Sequence, residues 1–362
     1  MYKYNEITAV HFEISSRCQA KCPMCARNHH GGLPNPLLNE SDISLLMYKH
    51  IMSPALLRQI QEISMCGNFG DPIMNNDLID MILYSVKHNP DILMQIHSNA
   101  GARTEKWWIE LAEALPTNHV LHFGIDGLED THSIYRIGTD FNKIIKNAKA
   151  FINAGGKARW NFITFKHNEH QLDAARQMAR ELGFESFHEK QTSRFIGTHN
   201  FNVYDKNGNT VYKLEEPSER KVIFIDKKTV DNYKELVKTA VIDCEVERFK
   251  SIFVDAKGYL WPCCFTAGVP YSYSATEQTL YGYKNAARDS LNKVLDAFGG
   301  ISELDLQKKT MQELVDSEVW QTVWDDNFHG DNKLHVCART CGKFKEPIIS
   351  QCRDQFLDLE NF

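Results

Sequence analysis

Several things are missing from this chain of 362 residues. No run approaches the roughly 18 consecutive apolar residues that a membrane-spanning helix needs, so no membrane partner is expected. The opening "MYKYNEITAVHFEI" has no basic n-region, apolar h-region or small-residue cleavage site, and the expectation is a cytoplasmic protein. Nor is there a concentrated basic block. Lys and Arg number 41 against 47 Asp and Glu, a net charge of −6, which argues against a nucleic-acid surface. Low-complexity tracts and internal repeats are absent beyond an alternation of strand and helix patterns.

What the chain does have is cysteine, ten in all. In the cytosol thiols stay reduced, so these read as metal ligands or catalytic groups rather than disulfides. Cys18, Cys22 and Cys25 form a C-x3-C-x2-C triplet, Cys66 stands alone, and Cys244, Cys263, Cys264, Cys337, Cys341 and Cys352 fall in the last third. The distribution suggests two metal centres in two regions.

From residue 8 to about 192, short β-type runs alternate with helical ones. "AVHFEIS", "EISMCG", "DILMQIHSN", "HVLHFGID", "ARWNFITF" and "FESFHEKQT" read as strands. Helices are expected near 41–53 with Ser41 as cap, 76–88, from Thr104, 140–154, and 169–182 ended by Gly183. Six such units in series imply an α/β fold with a parallel sheet curled into a partial or full barrel. The reactive end of such a sheet is the carboxyl end of its strands, and the cysteine triplet lies in the first loop there. Residues 193–243 break the rhythm, with a β-hairpin turning at Asn207-Gly208. After Cys244 come a hairpin, "SIFVDAKGYLWPCC", a Tyr/Ser-rich loop and a helix near 310–324. The expected organisation is a barrel over 1–192, a connector over 193–243 and a small α+β region over 244–362.

Three thiolates from one short loop can hold three irons of a [4Fe-4S] cube and leave the fourth open to an outside ligand. A zinc site would need a fourth protein ligand, which His29 or His30 could supply; three reduced thiols without metal are a further reading. Here the chain resembles the radical SAM superfamily, whose signature is C-x3-C-x-φ-C after the first barrel strand. "GNFGDP", Gly67 to Pro72, resembles the family's glycine-rich motif after strand two, "HSNAG" its strand-three end, and "GIDGLEDTHSIYR" its strand-four segment. The resemblance implies a radical-SAM-type partial (β/α)6 barrel, and a cluster on Cys18, Cys22 and Cys25 that reductively cleaves S-adenosylmethionine to a 5′-deoxyadenosyl radical. It implies cofactor contacts from Met24, Gly67, Asn68, Phe69, Gly70, Asp71, Pro72, Ser98, Asn99, Asp126, Arg136, Asn161 and Lys190, with His167 and Arg194 also near strand ends. Met24 stands where the family usually has an aromatic residue, and Asp71 where it has Glu.

Cys244 and Cys263 are spaced C-x13-G-x4-C around Gly258, which resembles the opening of the SPASM and twitch auxiliary-cluster domains. "CARTC", Cys337 to Cys341, resembles their closing C-x3-C. The resemblance implies a second [4Fe-4S] cluster on Cys244, Cys263, Cys337 and Cys341, with Cys352 as rival ligand. Cys264 reads as a spare ligand, a free thiol near the substrate or a packed residue, and Cys66 as core. The implied function is hydrogen abstraction from a peptide, protein or small molecule with net oxidation, served by a reductant such as flavodoxin or ferredoxin. A sugar or nucleoside-like dehydrogenase or epimerase of the same superfamily, and a non-catalytic electron carrier or redox sensor, are the alternatives. The seventeen residues before Cys18 leave no room for a fused peptide-leader-binding domain, which weighs on the small-molecule side.

Overall fold

The six strand segments alternate apolar and polar side chains, and that period of two decides how they pack. The computed structural model describes residues 1–192, 194–195, 199–219, 237–272, 278–330, 333–343 and 356–361. In it the strands are β1 (Ala9–Phe12), β2 (Glu62–Met65), β3 (Leu93–Ser98), β4 (His119–Gly124), β5 (Ala158–Thr164) and β6 (Ser186–Gln191). They lie in sequence order, each parallel to the next. Val10, Ile63, Ile96, Phe123, Trp160 and Phe187 are at most 1% exposed and share one core with the helices. Fully burying a side chain of this size contributes about 1.5–3 kcal/mol. The alternate residues, such as His11, Gln95, His97, His122 and Asn161, are polar. Parallel sheets covered on both faces read as nearly continuous apolar runs, so the polar face is where a ligand site belongs.

The helices are α1 (Leu45–Ile51), α2 (Pro54–Gln59), α3 (Leu78–His88), α4 (Glu105–Ala114), α5 (His132–Tyr135), α6 (Phe141–Asn153) and α7 (Leu172–Leu182). Thr104 and Asp140 accept from the N–H groups of Trp107 and Lys143 as caps, and Gly183 ends α7 at φ +84°. The single helix expected over 41–53 is two helices. Ser44, not Ser41, caps the first, and Pro54 ends its continuation by opening the second behind a Ser53 cap, as a proline inside a helix would remove a hydrogen bond and clash. Ser41 instead anchors the cysteine loop, its carbonyl accepting from the Ser16 N–H at 2.9 Å.

The hairpin of β7 (Asn200–Tyr204) and β8 (Thr210–Glu215) turns through Gly208 at φ +83°. It lies against the cysteine loop: the Tyr204 N–H donates to the His30 carbonyl at 2.9 Å, and the His30 ring stacks on Phe201 at 4.1 Å. Two short segments, β9 (Val241–Ile242) and β12 (Gly342–Lys343), pair antiparallel. Between them in sequence, β10 (Ser251–Val254) and β11 (Leu260–Trp261) turn through Gly258 at φ +85°. β10 pairs parallel with β1, Ala9 opposite Ser251, so this hairpin extends the barrel sheet. At the other edge β13 (Phe356–Asn361), not expected from the sequence, pairs antiparallel with β6, completing nine strands in the order β11-β10-β1-β2-β3-β4-β5-β6-β13.

Part of the stretch expected to be a Tyr/Ser-rich loop is a helix, Gln278–Phe298. The helix expected near 310–324 is two, Met311–Val315 and Glu318–His329, because Ser317 caps the second by accepting from the Trp320 N–H. Among the described residues no helix is long and apolar enough to cross a membrane.

Candidate active site

The loop after β1 carries three thiols, and hydrogen bonds to its neighbours give it its shape. Ser15 Oγ donates to Asp42 at 2.6 Å, Arg17 Nε pairs with the same carboxylate, and Arg17 Nη2 reaches the Met74 carbonyl at 2.9 Å. Arg27 ties the Ser16 carbonyl to Glu40. Cys22 is buried and Cys18 and Cys25 half-buried, and all three line one cleft at the carboxyl ends of the strands.

The second loop is pinned from behind. Glu13 Oε1 accepts from the N–H groups of Phe69 at 2.7 Å and Gly70 at 3.1 Å, and the Arg17 carbonyl takes the Asp71 N–H at 2.9 Å. Gly70 cannot be anything else here, since a Cβ would stand 1.7 Å from the Ser15 carbonyl oxygen. Asp71 is fully engaged. Its Oδ2 accepts from Ser98 Oγ, the Asn99 N–H and Asn99 Nδ2, and its Oδ1 from the Ile73 N–H. Asn99 in turn donates to Cys18 Sγ at 3.4 Å and accepts from Gln19 Nε2 at 2.5 Å. These two side chains lock the second and third loops to the cysteine loop.

Asp126 lies wholly buried behind the cleft. It takes the Arg136 Nε at 2.6 Å and the Ile163 N–H at 2.6 Å. Arg136 faces the cleft, its Nη1 donating to Cys22 Sγ at 3.7 Å. Burial works against the guanidinium charge, but the Asp126 carboxylate, with Cys22, holds it well above its ordinary value. Burial raises the Cys22 thiol, with Arg136 as the main opposing influence, and burial with the Asp71 charge raises Cys18. Burial lowers the Lys190 ammonium, partly offset by Cys66 and Asp126.

Of the residues singled out from the sequence, Cys18, Cys22, Cys25, Gly67–Asp71, Ser98, Asn99, Arg136, Asn161, Lys190 and Arg194 line this one cleft. Met24, Pro72, Asp126 and His167 do not. Met24 packs with Tyr135, Phe165, Phe195, Val203 and Leu214 under the β7–β8 hairpin, and its carbonyl accepts from Arg194. Pro72 opens a short 3-10 turn, and His167 stacks on Phe165. The sequence reading missed Cys66, His97 and His122, which also line the cleft. Their signal was polarity at alternate strand positions. Cys66, expected in the core, has its thiol pushed up to about 11 by burial.

Cys244, Cys263, Cys264, Cys337 and Cys341 line a second, mostly apolar pocket with His11, Phe249, Phe253, Phe265 and Phe328. Cys337 and Cys341 share a face of the helix His335–Cys341, being four residues apart. Burial, then the neighbouring cysteines, raises Cys337; burial is also the main cause for Cys244, pushed up to about 12. Cys264 thus belongs to this pocket and not to the cleft. Cys352 lies outside the described residues. One thin wall separates the two sites: His11 Nε2 donates to the Cys66 carbonyl at 2.6 Å, and Asn68 Nδ2 to the Cys264 carbonyl at 2.7 Å.

Neither donor set is drawn together around a single ion. A tetrahedral zinc with Zn–S of about 2.3 Å needs its sulfurs about 3.8 Å apart. Among the described residues neither cysteine set brings three donor atoms within 4.8 Å of one another. His30, a candidate fourth zinc ligand, is instead stacked on Phe201 and Tyr204, with Nδ1 at the Asn202 carbonyl.

Residues 12–179 match the family model of the radical SAM superfamily. The fold is similar to that of Streptococcus suis SuiB bound to precursor peptide SuiA, at 13% identity over 88% of this chain and 67% of that one, TM-score 0.51. It is also similar to native anSMEcpe with bound AdoMet, at 14% identity over 97% of this chain and 91% of that one, TM-score 0.52. The same protein with AdoMet and Cp18Cys peptide gives 16% identity over 97% and 91%, TM-score 0.51. At these identities the likeness is one of fold. No curated protein matches by sequence. Residues 12–179, with their parallel sheet and the cysteine loop after β1, form a radical SAM domain.

Proposed function

We propose that this enzyme reductively cleaves S-adenosylmethionine in the cleft and abstracts hydrogen from a peptide substrate, with net oxidation. The observation that carries the reading is convergence: three thiols from one loop, the glycine-rich loop, Asn99 and a carboxylate-held arginine meet in a single cleft. Cys18, Cys22 and Cys25 would hold a [4Fe-4S] cluster. Bound there, it supplies the electron that splits the sulfonium to a 5′-deoxyadenosyl radical.

The chain's own residues bind and orient. Arg136, held charged by Asp126, offers a guanidinium to the carboxylate of the methionine moiety. Glu13 and the Arg17 carbonyl engage the N–H groups of the Phe69–Asp71 stretch from behind. The loop's carbonyls are then the backbone groups left to meet an ammonium. Asp71 and Asn99 keep that loop in register with the cysteines.

Cys244, Cys263, Cys337 and Cys341 would hold an auxiliary [4Fe-4S] cluster, with Cys264 in the same pocket. It would take up the electron left after hydrogen abstraction, and a small flavodoxin or ferredoxin would reload the first centre. A peptide substrate is supported by the peptides bound to SuiB and anSMEcpe. Anaerobic reconstitution followed by dithionite and S-adenosylmethionine tests the reading. It expects about eight irons per chain and 5′-deoxyadenosine formation. An intact cluster that yields no 5′-deoxyadenosine would overturn it in favour of an electron carrier.

A further inference from the structure

The first thiol of the cysteine loop has a carboxylate for a neighbour. Asp71 is 4% exposed, and its charge is felt at Cys18. A cluster on Cys18 gains a further negative charge when it is reduced, and a buried carboxylate nearby makes that gain harder. One amide serves both groups. Asn99 Nδ2 gives one N–H to Asp71 Oδ2 at 2.6 Å and the other to Cys18 Sγ at 3.4 Å.

The orientation of that amide is not free. Its Oδ1 accepts from the Gly101 N–H at 2.9 Å, and a backbone N–H only donates, so the oxygen faces Gly101 and the nitrogen faces Cys18. Gln19 Nε2 is the second donor to the same oxygen, at 2.5 Å. Both N–H groups and both lone pairs of the Asn99 amide are thereby used. From the third loop the holding is done by strained backbone. Ala100 has φ +54°, unusual for a residue with a Cβ, and such a conformation persists only where its surroundings over-determine it. Here the Ala100 N–H donates to Ser98 Oγ at 2.9 Å, and its carbonyl accepts from Asn147 Nδ2 at 2.8 Å.

From the cysteine loop the holding is done by Gln19, the residue after Cys18. Gly101 leaves it room, since a Cβ there would stand 2.7 Å from Gln19 Nε2 and 3.0 Å from Asn99 Oδ1. Gln19 Oε1 lies 3.9 Å from Cys18 Sγ, where a thiol can donate to it but a thiolate cannot. Once the thiol proton is gone, Asn99 Nδ2 and the Ala20 N–H are the donors left to the sulfur. Gln19 itself does not line the cleft. Its effect on the site therefore passes through Asn99.

We infer that Gln19 is a positioning residue: it holds the Asn99 amide with an N–H on Cys18 Sγ, and so raises the reduction potential of a cluster bound there. Hydrogen bonds to the sulfurs are among the means by which a protein sets that potential. The inference rests on the reading of Cys18, Cys22 and Cys25 as cluster ligands.

A potentiometric titration of the reconstituted full chain, followed by the EPR signal of the reduced cluster, tests it. Cys337→Ala is present throughout, so that the signal reports the first centre. In that background Gln19→Met keeps the length of the side chain and removes its donor. The ratio of reduced to oxidised cluster at a fixed potential is expected to fall about threefold to tenfold, the worth of one hydrogen bond. At 59 mV per tenfold for one electron, that is a downward shift of about 28 to 59 mV. Gly101→Ala alters neither partner but puts a methyl group where Gln19 Nε2 lies, and a shift in the same direction is expected. Asn99→Ala should lower the potential at least as far, and Gln19→Met added to it should change nothing more. An unchanged potential in Gln19→Met, or shifts that add in the double variant, would overturn the inference. Should Asn99→Ala fail to assemble a cluster, Gly101→Ala decides, and a potential equal to the parent's overturns it. If the parent forms 5′-deoxyadenosine while the potentials do not move, only the positioning role fails. If the potentials shift but no 5′-deoxyadenosine forms, that role stands and the radical reading fails. A Cys337→Ala chain that assembles no four-iron cluster overturns both.

Discussion

The two cysteine regions are built in opposite ways. Cys18, Cys22 and Cys25 come from eight consecutive residues and open onto a cleft rimmed by Asp71, Asn99, Arg136 and Lys190. The second set comes from three separated segments and sits among Phe249, Phe253, Phe265 and Phe328. A centre that must admit a charged ligand needs a polar rim and an open side. One that only passes electrons works best sealed from water, where nothing can exchange onto it. The wall between them is the stretch Cys66–Asn68, tied to the second site through His11 and Cys264. On the proposed function the difference becomes a division of labour, with ligand chemistry on one side of this wall and electron storage on the other.

The largest expected effect tests that division directly. Replacing Cys18, Cys22 and Cys25 together by Ala is expected to remove 5′-deoxyadenosine formation by a factor on the order of 10³ or more, equivalent to about 4 kcal/mol. About four irons should remain in the second pocket. Cys337→Ala is the mirror experiment. Iron should fall to about four per chain while cleavage of S-adenosylmethionine without substrate persists within roughly threefold, under about 0.7 kcal/mol. Loss of cleavage in both variants would mean that the two regions are one functional unit.

How much of this was legible beforehand follows the same contrast. The first site could be read because its ligands are neighbours in sequence and its other parts, "GNFGDP" and "HSNAG", fall at successive strand ends. The second was legible as a cysteine count and a C-x3-C pair. That Cys264 joins it, and that β10 pairs with β1, depends on a non-local strand pairing that no local pattern announces. The roles of Asp71 and Asp126 were hidden for a related reason. Both carboxylates look like ligand groups in sequence, yet the fold spends them on Asn99 and Arg136. His97 and His122 were passed over because each sits inside an otherwise ordinary strand. The long helix Gln278–Phe298 was missed because the Tyr/Ser-rich stretch that leads into it was read on through it as loop.

Asp126→Asn sharpens the comparison at intermediate size. The change leaves the Arg136 guanidinium, only 19% exposed, without its carboxylate at 2.6 Å. Breaking a buried pair by removing one partner costs about 3–5 kcal/mol. Urea unfolding should show that loss in a lower midpoint, and S-adenosylmethionine affinity should fall with it because Arg136 is no longer held in place. Iron in the second pocket should be unchanged. A variant as stable as the parent would show that the pair does not hold the first site together.

The smallest effect concerns the wall. Glu13 follows β1, pins Phe69 and Gly70 on the cleft side, and feels the charge of Asp255 in the hairpin that leads to the second pocket. Burial, with the Asp255 charge, raises its carboxyl from 4.5 to about 7, against the pull of the two N–H groups. A carboxyl raised on folding binds its proton more tightly in the native state than in the unfolded one. Stability is then fully present below the unfolded value and declines as pH rises through the folded value. Between pH 4.5 and 7 the decline is at most about 3 kcal/mol, at 1.36 kcal/mol per unit. Glu13→Gln keeps an acceptor for Phe69 and Gly70 but has no proton to lose. Urea unfolding at a series of pH values is expected to show a fall in stability from pH 5 to 7 in the parent and a flatter profile in the variant. Parallel profiles would place the ionisation elsewhere, with Asp255 as the next group to replace, since it is buried beside the same small pocket as Glu13 and raised in the same direction.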